Sequence, residues 1–147
     1  MRPPVVADTG GLLQALARTK DGRPSFPAYE TVLTSASLII VPGLVLAEAD
    51  YFLRENRGAM RKLVAEVFDP GTRYEYESPR PADIVRAIEL DVKFKSRSLG
   101  LVDGTVAAVA ERRQVYRVLT TDHRHFGAIR VGPRLARPLE LVREPAS

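Results

Sequence analysis

The sequence has no cysteine and no long apolar run. Without cysteine, the chain cannot form a disulfide, a thiolate zinc site or a cysteine nucleophile, so any metal ion must be held by oxygen or histidine. Its apolar stretches are far shorter than the about 18 to 20 residues that a membrane-spanning helix needs. The first residues also lack the apolar segment and cleavage site of a signal peptide. We therefore expect a cytoplasmic protein with no membrane contact.

The chain has 147 residues, of which 45% are hydrophobic and 27% are charged, as is typical of one globular domain. We predict a single domain over residues 1–142, followed by a short tail over residues 143–147. The formal net charge of +4 is compatible with binding to nucleic acid, but it is also common among small soluble proteins. Charge alone therefore does not identify a partner.

Strand-like and helix-like segments alternate along the chain. Short apolar or β-branched runs predict strands at residues 5–7, 38–41, 73–77, 116–121 and 128–131. Helical spacing of apolar residues predicts the intervening helices, at residues 12–17, 27–36, 44–53, 58–68, 83–92 and 106–110. This alternation predicts an α/β fold with a mainly parallel sheet that is covered on both faces. The carboxyl ends of the strands then meet at one edge, where such folds bind ligands.

Four carboxylates occupy positions that such a fold can bring together. Asp8 ends the first strand, Asp122 ends a late strand, Glu48 interrupts an apolar helix and Asp103 opens another helix. Converging carboxylates repel one another and bind protons unless a cation compensates their charge. Mg²⁺ and Mn²⁺ are suitable cations because they prefer carboxylate oxygens and water as ligands. The pattern predicts a metal-dependent enzyme that acts on a phosphate-containing substrate.

Each acid taken alone also has a structural explanation. Asp8 and Asp103 both precede helical segments and can serve as helix caps, and Asp122 can be an ordinary turn residue. Glu48 is harder to explain in this way, because apolar and aromatic residues lie beside it at helical spacing. The prediction of a joint site therefore depends on the four acids occurring together.

Four segments in order resemble the PIN-domain ribonucleases, in particular the VapC-like toxins of type II toxin–antitoxin modules. The match extends from Val5 to about Val131, and its segments are residues 6–10 (VADTG), 41–53 (VPGLVLAEADYFL), 99–111 (LGLVDGTVAAVAE) and 119–126 (LTTDHRHF). The resemblance implies a three-layer α/β/α sandwich with the four acids around one or two Mg²⁺ or Mn²⁺ ions. It also implies hydrolysis of RNA phosphodiesters by metal-activated water, which leaves the phosphate on the downstream fragment.

Within this implied site, Asp8 and Asp103 are the first choices for direct metal ligands, and Glu48 and Asp122 ligate directly or through water. Thr9 and Thr121 flank two of the acids, and their hydroxyls are candidates for orienting a carboxylate or a water molecule. Helix termination or strand propensity explains these two threonines equally well.

Basic residues near the acidic segments are candidates for neutralising RNA phosphates without reading sequence. They are Lys93, Lys95, Arg97, Arg112, Arg113 and Arg124. His123 and His125 are the only histidines, and we expect both to be loop residues, although either can touch a phosphate or assist a leaving group. The family resemblance further implies a homodimer and a cognate antitoxin whose C-terminal segment covers the acidic groove.

Two other functions are compatible with parts of the pattern. Aspartyl-phosphate hydrolases and receiver domains also place an aspartate after the first strand, but glycine at position 10 breaks the hydrolase pattern and no acidic pair supports a receiver. A non-catalytic PIN-like RNA-binding module needs only the basic residues. The presence of all four acids opposes that alternative, because a retired site has no need to keep mutually repelling carboxylates.

Overall fold

The computed structural model describes residues 2–94 and 99–143. Its strands are β1 Val5–Ala7, β2 Ile39–Pro42, β3 Tyr74–Glu77, β4 Arg117–Leu119, β5 Arg130–Val131, β6 Arg137–Pro138 and β7 Glu140–Leu141. Its helices are α1 Thr9–Leu16, α2 Pro27–Ser35, α3 Gly43–Phe52, α4 Arg57–Phe68, α5 Pro81–Lys93, α6 Gly100–Arg113 and α7 His123–Phe126. Of the predicted tail over residues 143–147, only residue 143 lies within the described range.

A five-stranded parallel sheet with the order β3-β2-β1-β4-β7 forms the centre of the fold, and helices flank it. Every residue of β1 and β2 is buried, which explains why these strands are continuous apolar runs rather than alternating ones. The predicted α/β fold with a mainly parallel sheet is confirmed. Because β1 lies between β2 and β4, the segments that follow β1 and β4 are neighbours at the same edge.

The last strands differ from the prediction. The strand expected at residues 128–131 is the two-residue β5, which pairs antiparallel with β6 outside the main sheet. The edge position beside β4 belongs instead to β7, which the sequence analysis missed. Since β7 comprises only two residues, it has no alternating pattern from which a strand can be predicted.

Three apolar residues of α5 lie on its exposed face. Val85, Ile88 and Val92 are 59%, 50% and 66% exposed. The buried residues of α5 include Ala87, and Gly104 of α6 approaches it so closely that a Cβ atom at Gly104 would lie 2.8 Å from the Cβ atom of Ala87. The two helices therefore pack closely at these two small residues, and the apolar stripe of α5 faces outward.

One helix boundary and one predicted face also change. Helix α6 begins at Gly100, so that Asp103 lies within its first turn rather than before it. On α4, Val64 and Phe68 are 36% and 55% exposed, although the spacing placed them on the buried face.

No helix among the described residues combines the length and apolar character that a membrane crossing requires.

Candidate metal centre

Asp8 is held at the carboxyl edge of the sheet by the close packing of α1 against the end of β4. The backbone N–H of Asp8 donates to the carbonyl of Leu119 at 2.9 Å. A Cβ atom at Gly11 would lie 2.2 Å from that same carbonyl oxygen, and one at Gly10 would lie 2.4 Å from the Thr121 hydroxyl. Both glycines are therefore needed for α1 to start beside β4, and this packing places Asp8 next to the segment that carries Asp122.

The Asp8 side chain is 5% exposed, and only one of its two oxygens is hydrogen-bonded. Oδ2 accepts a hydrogen bond from the Thr120 hydroxyl at 2.7 Å. Oδ1 is buried and has no hydrogen-bond partner among the described residues. Although Asp8 occupies the N-cap position of α1, its side chain makes no capping hydrogen bond, so the helix-cap explanation does not apply. A buried carboxylate oxygen without a partner is costly, and a bound cation relieves that cost.

Electrostatic interactions show that the four predicted acids converge. Burial raises the pKa of Asp103, and smaller Coulombic contributions from Asp8, Asp122 and Glu48, in that order, bring it to about 7. Burial also raises the pKa of Asp8 to about 6, with smaller contributions from Glu48 and Asp122, while the hydrogen bond from Thr120 lowers it. The first turn of α6, the middle of α3 and the ends of β1 and β4 thus supply one acidic cluster.

Asp122 is held by two contacts of its carboxylate with His125 and by one hydrogen bond from its backbone N–H to Thr120. Its Oδ1 accepts from the backbone N–H of His125 at 3.1 Å, and its Oδ2 lies 2.6 Å from Nδ1 of the same histidine. Its backbone N–H donates to the Thr120 hydroxyl at 3.0 Å. Asp122 is therefore an N-cap rather than an ordinary turn residue, and its carboxylate stays beside the Asp103 side chain.

Thr120 is a site residue that the sequence analysis missed, and His125 contacts the acidic cluster although it was expected to be a loop residue. The Thr120 hydroxyl joins the two ends of the cluster, because it donates to Asp8 and accepts from the backbone of Asp122. Strand alternation predicts that residue 120 lies on the same side as residue 122, so this periodicity would have favoured Thr120 over Thr121. The roles of Thr9 and Thr121 in orienting a carboxylate or water remain predictions, and the Thr9 hydroxyl has no partner among the described residues.

Both histidines lie in α7, so the expectation of loop residues is wrong. His125 contacts Asp122, whereas Nε2 of His123 lies 2.9 Å from the carbonyl oxygen of Val142. The fully buried Phe126 anchors this short helix against the core. The side chain of an N-cap Asp contacts the residue three positions later, so the spacing from Asp122 to His125 could have predicted this contact.

The two arginines at the end of α6 make ion pairs within the chain. Arg112 bonds the carboxylates of Asp83 and Glu77, and Arg113 bonds those of Glu75 and Glu77. These bonds raise the pKa of both guanidinium groups. Arg112 also lies about 13 Å along the helix from the first turn that holds the acidic cluster. The pairs tie α6 to β3 and α5, while a contact with RNA remains a prediction for both arginines.

The other predicted RNA-binding residues fall into two groups. Lys93 at the end of α5 and Arg124 in α7 are exposed, and Arg124 lies in the same short helix as His125. Lys95 and Arg97 lie outside the described residues. A predicted contact with phosphate is therefore sterically open to Lys93 and Arg124.

The residues present fit a divalent cation. One ligand atom from each of Asp103, Asp122 and His125 lies within 4.8 Å of the other two. The partnerless Oδ1 of Asp8 supplies a further oxygen in the same cluster. Carboxylate oxygens and an imidazole nitrogen are ordinary ligands of divalent metal ions, so the donor set is chemically suitable.

Comparison with known proteins agrees with this architecture. The family model described as PIN domain matches residues 5–131. Ribonuclease VapC26 of Mycobacterium tuberculosis (strain ATCC 25618 / H37Rv) is 28% identical over 127 residues, which cover 86% of this chain and 92% of that protein. The crystal structure of Mycobacterium tuberculosis VapC20, titled a Sarcin-Ricin loop cleaving toxin, has a TM-score of 0.64 and 19% identity, covering 82% of this chain and 92% of that one. The structural likeness supports the fold.

Proposed function

The chain belongs to the PIN domain family, and from this premise we propose that it is a metal-dependent endoribonuclease and the toxin of a toxin–antitoxin module. Two relatives support the proposal, because one is named a ribonuclease and the other is titled a Sarcin-Ricin loop cleaving toxin. The proposed substrate is RNA, and the proposed place of action is the cytoplasm.

The observation that carries the proposal is the acidic cluster around a buried carboxylate oxygen without a partner. Burial, together with repulsion from the other three acids, raises the pKa of Asp103 to about 7, so the carboxylates are costly to ionise together without a cation. A bound Mg²⁺ or Mn²⁺ supplies a more acidic water molecule and positive charge at the phosphodiester. The same cluster has no corresponding use in a module that only binds RNA.

The chain's own residues then divide the remaining work. Asp8 and Asp103 are proposed as direct metal ligands, and Glu48 and Asp122 as ligands directly or through water. Thr120 holds one oxygen of Asp8, and the other oxygen, which has no hydrogen-bond partner among the described residues, is proposed as the one that binds the metal. Exposed cationic side chains near the cluster hold RNA phosphates and contribute affinity without specifying a sequence.

The proposed partners are a cognate antitoxin and a second copy of the chain. We expect the product of a neighbouring antitoxin gene to inhibit cleavage when it is added in equimolar amount. Unchanged cleavage in the presence of that product would contradict the assignment as a toxin while leaving the nuclease proposal intact.

The test of the nuclease proposal is a cleavage assay on a pool of structured cellular RNAs that includes a sarcin–ricin loop RNA. Wild-type protein is expected to cut RNA with Mg²⁺ or Mn²⁺, and Asp8→Asn and Asp103→Asn are expected to lose at least about a hundredfold in rate. Asp50→Asn is the matched control, because Asp50 is a surface carboxylate of α3 that pairs with Arg57 at 2.6 Å.

Thermal unfolding establishes that each variant folds. Equal cleavage by both cluster variants, or no cleavage by wild type with either ion across the pool, would contradict the proposal. RNA binding that persists without any cleavage would favour the non-catalytic module.

A further inference from the structure

His125 adds a nitrogen donor to a site that is otherwise built from oxygens. Its backbone and ring both contact the Asp122 carboxylate, so the ring is held beside the acidic cluster rather than in solvent. Its side chain keeps 35% of its surface exposed, which leaves part of the ring accessible. The buried Phe126 next to it anchors α7 against the core.

The spacing of the donors matches one metal ion. One nitrogen of His125 and one oxygen each of Asp103 and Asp122 lie within 4.8 Å of one another. Three atoms that lie within 4.8 Å of one another are at most about 2.8 Å from a common point, so movements of about 0.7 Å or less bring them to bonds of about 2.1 Å with one cation.

An independent observation shows that a ligand belongs in this cluster. Oδ1 of Asp8 is buried without a hydrogen-bond partner among the described residues, although Oδ2 of the same side chain is well bonded. Asp8 is also the strongest of the three charges that act on Asp103. A cation next to Asp103 therefore accounts for the unpaired oxygen as well as for the three clustered donors.

We propose that His125 is a nitrogen ligand of the metal at this site, and that the site consequently prefers Mn²⁺ to Mg²⁺. This inference rests on the proposed metal-dependent function. Imidazole is a good ligand for first-row transition ions, whereas Mg²⁺ takes oxygen ligands and keeps its water. A site made only of carboxylates lacks this source of discrimination.

The chain provides a matched control for the test. His123 and His125 are its only histidines, and both lie in α7. The His123 ring bonds the Val142 carbonyl instead of the acidic cluster. Protein without an added histidine tag therefore contains one histidine at the site and one beside it.

The test measures the coordination of Mn²⁺ directly by pulsed electron paramagnetic resonance on full-length protein with ¹⁵N-labelled histidine. Wild type and His123→Gln are expected to show a ¹⁵N coupling to bound Mn²⁺, and His125→Gln is expected to lose it. Titrations should show that His125→Gln weakens Mn²⁺ binding about tenfold while changing Mg²⁺ binding less than threefold. Because the wild-type spectrum carries the result, the test does not depend on the folding of a variant.

The outcomes separate this inference from the proposed nuclease function. Bound Mn²⁺ without a nitrogen coupling, or unchanged Mn²⁺ affinity in His125→Gln, overturns the role of His125 even if the protein cuts RNA. A nitrogen coupling in protein that cuts no RNA supports the ligand and contradicts the nuclease. Failure of wild type to bind Mn²⁺ overturns the role of His125, and failure to bind either Mn²⁺ or Mg²⁺ overturns both proposals.

Discussion

Asp8 combines deep burial, an unpaired oxygen and a neighbouring cluster of negative charge. Burial raises its pKa from 3.8 to about 6. Between pH 3.8 and about pH 6, the Asp8 carboxyl group has lost its proton in the unfolded chain but keeps it in the folded protein. The wild-type protein without metal therefore loses stability as pH rises through this interval, and above it the penalty is constant.

Replacing Asp8 by asparagine should remove this pH dependence. In EDTA, the free energy of unfolding of Asp8→Asn relative to wild type is expected to rise by about 2 to 3 kcal/mol between pH 4 and pH 7. Urea unfolding followed by circular dichroism at several pH values measures the difference. Mn²⁺ should then stabilise wild type more than the variant. A difference between the two proteins that does not change with pH would contradict the raised pKa.

At the scale of single residues, the sequence revealed the acids but not the residues that orient them. Aspartates after strands and a glutamate within an apolar helix are visible because their positions conflict with burial. Thr120 has no such conflict, since a threonine in a strand is ordinary. His125 needed the cap geometry of Asp122, which depends on where α7 begins.

Among the elements, the contact between α5 and α6 decides where Asp103 lies. Gly104 follows Asp103 directly and touches Ala87, and residues 106–110 of α6 are all buried, as the small apolar residues there predicted. The ion pairs of Arg112 with Asp83 and Glu77 fix the other end of the same helix. The position of the first turn of α6 is therefore set by close packing along its length.

The sign of the change in the free energy of unfolding of Gly104→Ala tests this packing. Helix propensity alone predicts that Gly104→Ala stabilises the protein by about 1 kcal/mol. The added methyl group would lie 2.8 Å from the Cβ atom of Ala87, so we expect a net loss of about 1 to 3 kcal/mol in the free energy of unfolding. Urea unfolding measures this loss.

Gly58→Ala in α4 is the matched control, because the nearest atom to its added Cβ is 3.9 Å away. This variant should be unchanged or more stable by up to about 1 kcal/mol. Stabilisation by both alanines would contradict the close contact between α5 and α6.

Helical periodicity identified α5 but not the face that it buries. Val85, Ile88 and Val92 form an apolar stripe, yet the core side consists of residues such as Ala87 and Leu90. Periodicity reports which residues share a face, but it does not report whether the core or a partner covers that face. The burial of Asp83 is equally hidden in the sequence, because its bond to Arg112 depends on a distant part of the chain.

For the whole molecule, the exposed stripe of α5 bears on the predicted homodimer. Three large apolar side chains at positions i, i+3 and i+7 form a continuous ridge on an outer helix. A ridge of this kind is suited to a two-fold contact, in which the same residues of both copies meet. We propose this stripe as the surface that a second copy covers.

Light scattering after size-exclusion chromatography tests the proposed interface. Wild type should have twice the chain mass of 16.2 kDa, and Ile88→Glu should have the mass of a single chain. Val64→Glu on α4 is the control, since Val64 is also an exposed apolar residue but lies on a different helix. A monomeric wild type, or dissociation by Val64→Glu alone, would contradict the assignment of this surface.

The parallel order of β3, β2, β1, β4 and β7 explains why four distant acids meet at one edge. The sequence predicted this meeting because strand ends in parallel sheets share an edge. It did not predict β7 or the direction of the α5 stripe, because both depend on contacts between distant segments. The central claim concerns the chemistry at that edge, namely cleavage of RNA by water with the help of a divalent metal.

The most direct measurement identifies the ends of the RNA fragments that the protein produces with Mn²⁺ and with EDTA. Hydrolysis at the acidic cluster predicts a 5′-phosphate on each downstream fragment in Mn²⁺, with no cleavage in EDTA. Fragments that end in a 2′,3′-cyclic phosphate and form equally well in EDTA would instead require attack by the RNA 2′-hydroxyl without a metal, and they would contradict the account.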